Sequence, residues 1–480
     1  MQRKFITNLA LLLVLNFLIK PFWIFGIDLE VHNLFVESYG TYFALFGFSM
    51  LFNICLDFGI TTFNSRNIAQ NHQQLTKYFS GIVVFKLLLA MLYFLISMGV
   101  GLLVGFNAEE FYMLFFLSIN QFLISFIQYL RSNVAGLQLF TLDSLLSVLD
   151  KFLMIIFCSI LLWSNLFKIK FELIHFVYAQ TAAYGLTVFI VFLIVAAKSG
   201  QYRFNINKSF LLLILKQTYP YALLVLMMTF YYRLDGIMLK QMLPDGELQA
   251  SIYAQAYRLM DASTQVGVLF AALLLPMFAN MIKNNKKVDE LVRLSFSLLF
   301  VPALVIAFFS YSFSQEIMAI LYHANIAAAA SVFKILMLCF AAIGITYILG
   351  TLLTANGSLK VLNMMALSGM ILNFVLNIIL IPTFKAEGSA YASLATQVLI
   401  VLAQILVAYR VFKFNINWKF LASLGVYIIA IYMLTLGVKI YVSEFYLQFI
   451  LFILVSAILA VLLRVINLKK MYHILINREF

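Results

Sequence analysis

Four charged residues, Arg233, Asp235, Arg258 and Asp261, stand inside a stretch that otherwise reads as two apolar helices, YPYALLVLMMTFYYRLDGIMLKQMLPDGELQASIYAQAYRLMD, joined by the turn Pro244, Asp245, Gly246. Arg233 lies ten residues before Leu243 and Arg258 ten after Leu248, so at about 1.5 Å per residue both stand roughly 15 Å from the turn. If the two helices span a membrane, each ionised side chain facing lipid costs about 2.5–3.5 kcal/mol, and four cost on the order of 10 kcal/mol. The four groups must then face water or one another. Arg233 and Asp235, two apart, point to opposite sides of a helix, whereas Arg258 and Asp261, three apart, can touch. One arginine is thus neutralised locally, and the other is left to meet something else.

The rest of the chain supplies the membrane setting. Of 480 residues, 64% are hydrophobic and 11% charged, with a mean hydropathy of +1.01, against about 25% charged in soluble domains. Apolar runs of membrane-spanning length recur from end to end, and the connections between them do not exceed about 15 residues. We read fourteen spans; the first covers 5–27, the second 39–62, the seventh 212–243 and the eighth 248–282. The first is too long, and lacks the small-residue cleavage site, to be a removable signal peptide. Pro21, Pro220, Pro276 and Pro302 are expected to kink their helices.

The net charge of +13 is unevenly placed. About 21 Lys and Arg fall on the side that holds the termini, against 6 on the other, namely Lys20, Lys168, Lys170, Lys240, Lys385 and Lys439. The positive-inside rule therefore puts both termini in the cytoplasm. Acidic residues, including Asp28, Glu30, Glu109, Glu110 and Glu247, fall mainly outside. The segment from Asn133 to Ser147 matches that from Thr354 to Ser368 at a displacement of 221, and ESYGTYFALF matches LQASIYAQAY at 211. The expected fold is an all-α membrane protein of about 14 transmembrane helices. Two six-helix bundles, 1–210 and 211–415, are related by a pseudo-two-fold along the membrane normal, and 416–480 adds two transmembrane helices and a cytoplasmic tail.

Two such bundles enclose a cleft, which is where intramembrane charges belong. Besides the hairpin, the candidates are Asp57, Lys86, Asp150, Lys151 and Lys334. Lys86 and Lys334 lie within a few turns of a span end, where snorkelling to the headgroups competes. Lys151, some 14 Å into its span by helical rise, is beyond easy snorkelling, and its neighbour Asp150 cannot share its face. Asp57, in the run LDFGI, ends the second span either as a carboxylate paired with Arg66 or a backbone amide, or as the carrier of an ion or proton. The five histidines, His32 among them, read as interfacial or loop residues, and Cys55, Cys158 and Cys339 as packing residues. The chain lacks GxxxxGKS/T and HExxH, so it carries neither that phosphate loop nor that zinc motif.

Together, ESYGTYFALFGFSMLFNICLDFGITTFNSRNIAQ, YYRLDGIML with SIYAQAYRLMDA, the turn TANGSLK, and IPTFKAEGSAYASLATQ resemble the polysaccharide-transporter branch of the multidrug/oligosaccharidyl-lipid/polysaccharide exporter superfamily, and within it the Wzx-type O-antigen and capsule repeat-unit flippases. The resemblance implies a multi-pass bacterial inner-membrane protein, not an enzyme and without a cofactor. Its function would be to move an undecaprenyl-diphosphate-linked glycan across the bilayer by alternating access, alongside other polysaccharide-assembly proteins and with no role for nucleic acid. Arg233, Arg258, Lys151, Lys86 and Lys334 then become the diphosphate site, since arginine's planar donors suit phosphate oxygens. Asp57 and Asp235 become ion-coupling candidates, and Asp261 and Asp150 charge partners. A proton gradient, a sodium gradient and consumption of product outside all remain open as the driving force. Two alternatives compete. A cation-coupled multidrug exporter would want a net acidic cleft, whereas the charges counted here are slightly positive. A membrane-embedded polymerase or glycosyltransferase would bring a large outside loop, and the longest here are about 11–16 residues.

Overall fold

The computed structural model describes residues 14–61, 73–163, 171–199, 208–414 and 417–466, with Leu11, Asn64, Ser65 and Ile68. All regular structure among them is helical, as lipid demands, because a helix satisfies its own backbone donors and acceptors. Helix α1 covers 14–34 and widens to a π-helical segment at Phe22–Asp28, directly after Pro21. It is followed by α2 (Ser38–Leu51), α3 (Gln73–Val104), α4 (Ala108–Gly136), α5 (Phe140–Trp163), α6 (Leu173–Ser199), α7 (Lys208–Met242) and α8 (Gly246–Lys283). Next come α9 (Asp289–Ser312), a short surface helix Ser314–Leu321, α10 (Ile326–Ala355), α11 (Leu359–Phe412), α12 (Trp418–Tyr441) and α13 (Phe445–Leu462).

Eleven helices among the described residues are long and apolar enough to cross a membrane. One of them, α11, crosses twice. Lys385 leaves helical geometry at φ 52°, and Ser389 Oγ then donates to Asn377 Oδ1 at 2.7 Å, a pair that would stand about 18 Å apart along a straight helix. With α1 and α2, whose regular windings are interrupted, the fourteen spans are accounted for. The outward faces carry large apolar side chains such as Leu95, Leu103 and Leu462, as lipid-facing surfaces must.

Two boundaries differ from the sequence reading. Helix α1 runs on to Leu34, so Lys20, Asp28 and His32, expected outside or in a loop, lie within it. The reason is that each meets a partner or neighbour from another helix and need not reach water. The second span, expected to be continuous over 39–62, is broken: α2 ends at Leu51, a tight turn occupies Asn53–Leu56, and Phe58 and Gly59 have φ of 43° and 79° before helix resumes.

The chain divides into two compact units, Met1–Ser251 and Ile252–Phe480. In the first, α4 packs against α6 and α2 lies along α7. That second crossing is close because its contact residues are small. A Cβ built on Gly47 would stand 3.1 Å from the Arg233 carbonyl, and one on Gly236 would strike the Phe43 ring. In the second unit α10 packs along α11 and α9, and Phe309, Phe313, Tyr427 and Phe452 fasten α12 and α13 to α9.

Candidate functional site

The first unit holds a polar seam between α1 and α5. Asn16, Lys20 and Trp23 recur at helical spacing on one face of α1; Ser147, Lys151 and Met154 do so on α5. Asn16 Nδ2 donates to Ser147 Oγ at 3.2 Å, and Lys151 Nζ stands 5.5 Å from the centre of the Trp23 ring. From α6, the Tyr184 hydroxyl accepts from Lys151 Nζ at 3.0 Å, and its ring lies 5.1 Å from the same ammonium. Asp150 Oδ2 lies 3.5 Å from Lys151 Nζ. This corrects the expectation that sequence neighbours cannot meet, because the four-carbon lysine stem curls back across the helix.

Arg131, near the end of α4, donates Nε–H to Asp143 Oδ1 at 2.9 Å at the start of α5. Lys20 is half-buried and interacts electrostatically with Asp150, Lys151 and Arg131. No hydrogen bond or ion pair among the described residues engages its ammonium. Three cations thus face two carboxylates, and Lys20 supplies the excess. Sequence reading found Lys151 and Asp150 but missed Lys20, Trp23 and Arg131; the spacing of Asn16, Lys20 and Trp23 was the available signal.

Lys86 lies elsewhere. It is 1% exposed, and its ammonium donates to the Leu56 carbonyl at 2.9 Å, to Ser125 Oγ at 3.1 Å and to Asp57. All these acceptors meet where the second span breaks. Asp57 in turn accepts from the Thr61 backbone N–H at 3.3 Å and from its hydroxyl, and so caps the helix that resumes there. Arg66, the partner expected from sequence, lies outside the described residues.

The hairpin charges fall in different units. Arg233 is half-buried and Asp235 fully buried on α7 in the first, whereas Arg258 and Asp261 are half-buried on α8 in the second. All four have interaction partners. Lys334, half-buried on α10, makes no hydrogen bond or ion pair among the described residues.

A second buried network lies towards the turn between α7 and α8, the outer end in the sequence reading. Asn107 and Glu110 form a reciprocal cap on α4, each side chain accepting the other's backbone N–H at 2.9 Å. Glu110 also pairs with Lys240, with both side chains under a tenth exposed. Glu247 accepts from Thr41 Oγ1 at 2.8 Å. His32 is buried, stacked on Tyr39 at 3.8 Å and hydrogen-bonded to Ser251 Oγ at 2.9 Å, and Tyr39 donates to Asp28 at 2.9 Å. Asp28 and His32, expected outside or in a loop, are thus buried within the first unit.

Residues 8–282 match the model of a family described as polysaccharide biosynthesis protein. No curated protein matches the chain in sequence. Among solved structures, the lipid II flippase MurJ in an inward closed conformation superposes with a TM-score of 0.66 at 14% identity, covering 91% of this chain and 98% of that one. An inward-facing multidrug resistance MATE family transporter of the MOP superfamily gives 0.61 at 13% identity, covering 86% and 99%. A MOP superfamily transporter from Pyrococcus furiosus gives 0.58 at 13%, covering 85% and 94%. At such identities the likeness establishes the fold, and the family match spans more than half of the sequence. The chain, a multi-pass membrane protein with the fold of these transporters, belongs to the polysaccharide biosynthesis protein family.

Proposed function

We propose that the protein moves an undecaprenyl-diphosphate-linked oligosaccharide, an O-antigen or capsule repeat unit, from the cytoplasmic to the periplasmic leaflet of a bacterial inner membrane by alternating access. Family membership supports the polysaccharide. The observation that carries the diphosphate is the α1–α5 seam, where Lys20, Lys151 and Arg131 outnumber Asp150 and Asp143 inside an apolar bundle. A half-buried excess cation within a membrane span is expensive unless an anion meets it, and charge-assisted bonds to phosphate oxygens are the strongest available answer. Arg233 in the first unit, and Arg258 and Lys334 in the second, are proposed as further phosphate-binding cations. Lys86, committed to Asp57 and Leu56, serves the broken second helix. Asp57 and Asp235 are the carboxylates proposed to couple transport to a proton or sodium gradient.

Binding of a lipid-linked diphosphate to purified protein tests this reading. Lys20→Met, Arg233→Ala and Arg258→Ala are each expected to weaken binding by about tenfold, the worth of one lost charge-assisted bond. Lysine at either arginine position should retain part of the affinity, because charge persists without the planar fork. Surface polysaccharide should fall in parallel while membrane insertion stays normal. Unchanged affinity in all three variants would return these residues to the scaffold, and drug efflux in place of lipid binding would favour an exporter.

The orientation is tested separately. Reporter fusions after Lys287 should read cytoplasm and those after Glu247 periplasm, following the basic bias. The reverse pattern would invert the direction of transport.

A further inference from the structure

The second unit contains a cavity of about 480 Å³ where α9 and α12 begin and α10 and α11 end, a size within the roughly 300–1,000 Å³ of small-molecule sites. Its walls divide along the helix axes. Asp289 and Arg293 in the first turns of α9, Tyr409 in the last turn of α11 and Asn417 at the N-cap of α12 line the end nearest the helix termini. Leu349 and Leu424 lie six residues further along their helices, about 9 Å deeper, and with Phe296 and Phe420 they make the remainder apolar. The cavity surface is almost wholly apolar, and the charged side chains, Asp289 and the exposed Arg293, belong to the end where the helices terminate.

No hydrogen bond or ion pair among the described residues engages the Arg293 guanidinium or the Asp289 carboxylate. They stand one turn apart on the same helix, one cation and one anion at a single mouth. We propose that this cavity is a structural site for one membrane phospholipid whose head carries both a phosphate and a primary amine, a phosphatidylethanolamine. The phosphate takes the Arg293 donors, the ammonium takes Asp289, and one acyl chain fills the apolar part between α10, α11 and α12. A head with phosphate alone would leave Asp289 beside a second negative charge. The bound lipid would brace α12 against α10 and α11, independently of whatever the protein transports.

The test uses full-length protein stripped of lipid in detergent, with lipid retention read by native mass spectrometry. One dioleoyl phosphatidylethanolamine should be retained per chain, in preference to dioleoyl phosphatidylglycerol. Arg293→Ala should weaken its binding by about tenfold. Asp289→Asn should erase the preference for ethanolamine over glycerol heads while binding persists. Leu424→Trp, which fills the apolar part, should abolish retention, and Arg293→Lys should keep part of it if that bulkier variant fails to fold. Equal retention by Arg293→Ala and the parent protein would overturn the site. So would diacylglycerol binding as tightly as phosphatidylethanolamine, or inorganic phosphate binding without any acyl chain.

Discussion

Replacing Asp57 by Asn should destabilise the first unit by about 3 kcal/mol, the lower end of the range for stranding one charge of a buried pair. The lower end applies because the Asp57 side chain is 25% exposed, whereas Lys86 is 1% exposed. In the variant the ammonium keeps the Leu56 carbonyl and Ser125 but loses its counter-charge. Adding Lys86→Met should recover most of the loss, since an apolar pair of similar volume needs no neutralisation. Thermal unfolding followed by Trp23 emission, with Trp163 and Trp418 replaced by Phe throughout, measures both steps; equal stability of the single and double variants would show that the pair is not coupled. The double variant also separates folding from transport. If it folds and still exports polysaccharide, Asp57 does not carry the driving ion.

Lys240→Met should open the outer end of the first unit by a comparable amount, about 3 kcal/mol, because Glu110 then remains buried without its cation. Glu110 cannot swing to water cheaply, as its other oxygen holds the Asn107 backbone N–H. Glu110→Gln offers a single oxygen, so the amide accepts either from Lys240 or from the Asn107 N–H and turns its NH2 towards the other donor. The pair between Lys240 and Glu247 adds little, at 4.0 Å with Glu247 more than half exposed. Hydrogen exchange reads the difference directly. Amides at the start of α4 and the end of α7 should exchange about 100-fold faster in Lys240→Met, the equivalent of that free energy. Unchanged protection would mean that the helix ends are held by their apolar contacts alone.

The class, the crossings and the turn of the central hairpin are legible in the amino-acid sequence. Each depends on local quantities: runs of apolar residues, the rise per residue, and a Pro-Asp-Gly turn, which falls where α7 gives way to α8. The sequence also named Lys151, Asp57, Asp235 and Lys86 as candidate intramembrane charges, with snorkelling competing at Lys86 and a helix-end role at Asp57, because the cost of burying a charge is local too. What answers them was decided only by tertiary structure. Lys86 meets Asp57 at a sequence separation of 29, Lys240 meets Glu110 at 130 and His32 meets Ser251 at 219, and no local pattern selects such pairs. The break at Phe52–Gly59 was hidden for the same reason. An apolar run costs little to read as unbroken helix, whereas the break exposes the Leu56 carbonyl, which the Lys86 ammonium of α3 and the Ser125 hydroxyl of α4 satisfy. The end of α1 was misplaced because hydropathy treats Asp28 and His32 as residues seeking water, while the fold brings Tyr39 and Ser251 to them within the bundle. Hydropathy fixes where a helix lies, but the partner of each buried polar group depends on which faces the packing turns towards one another.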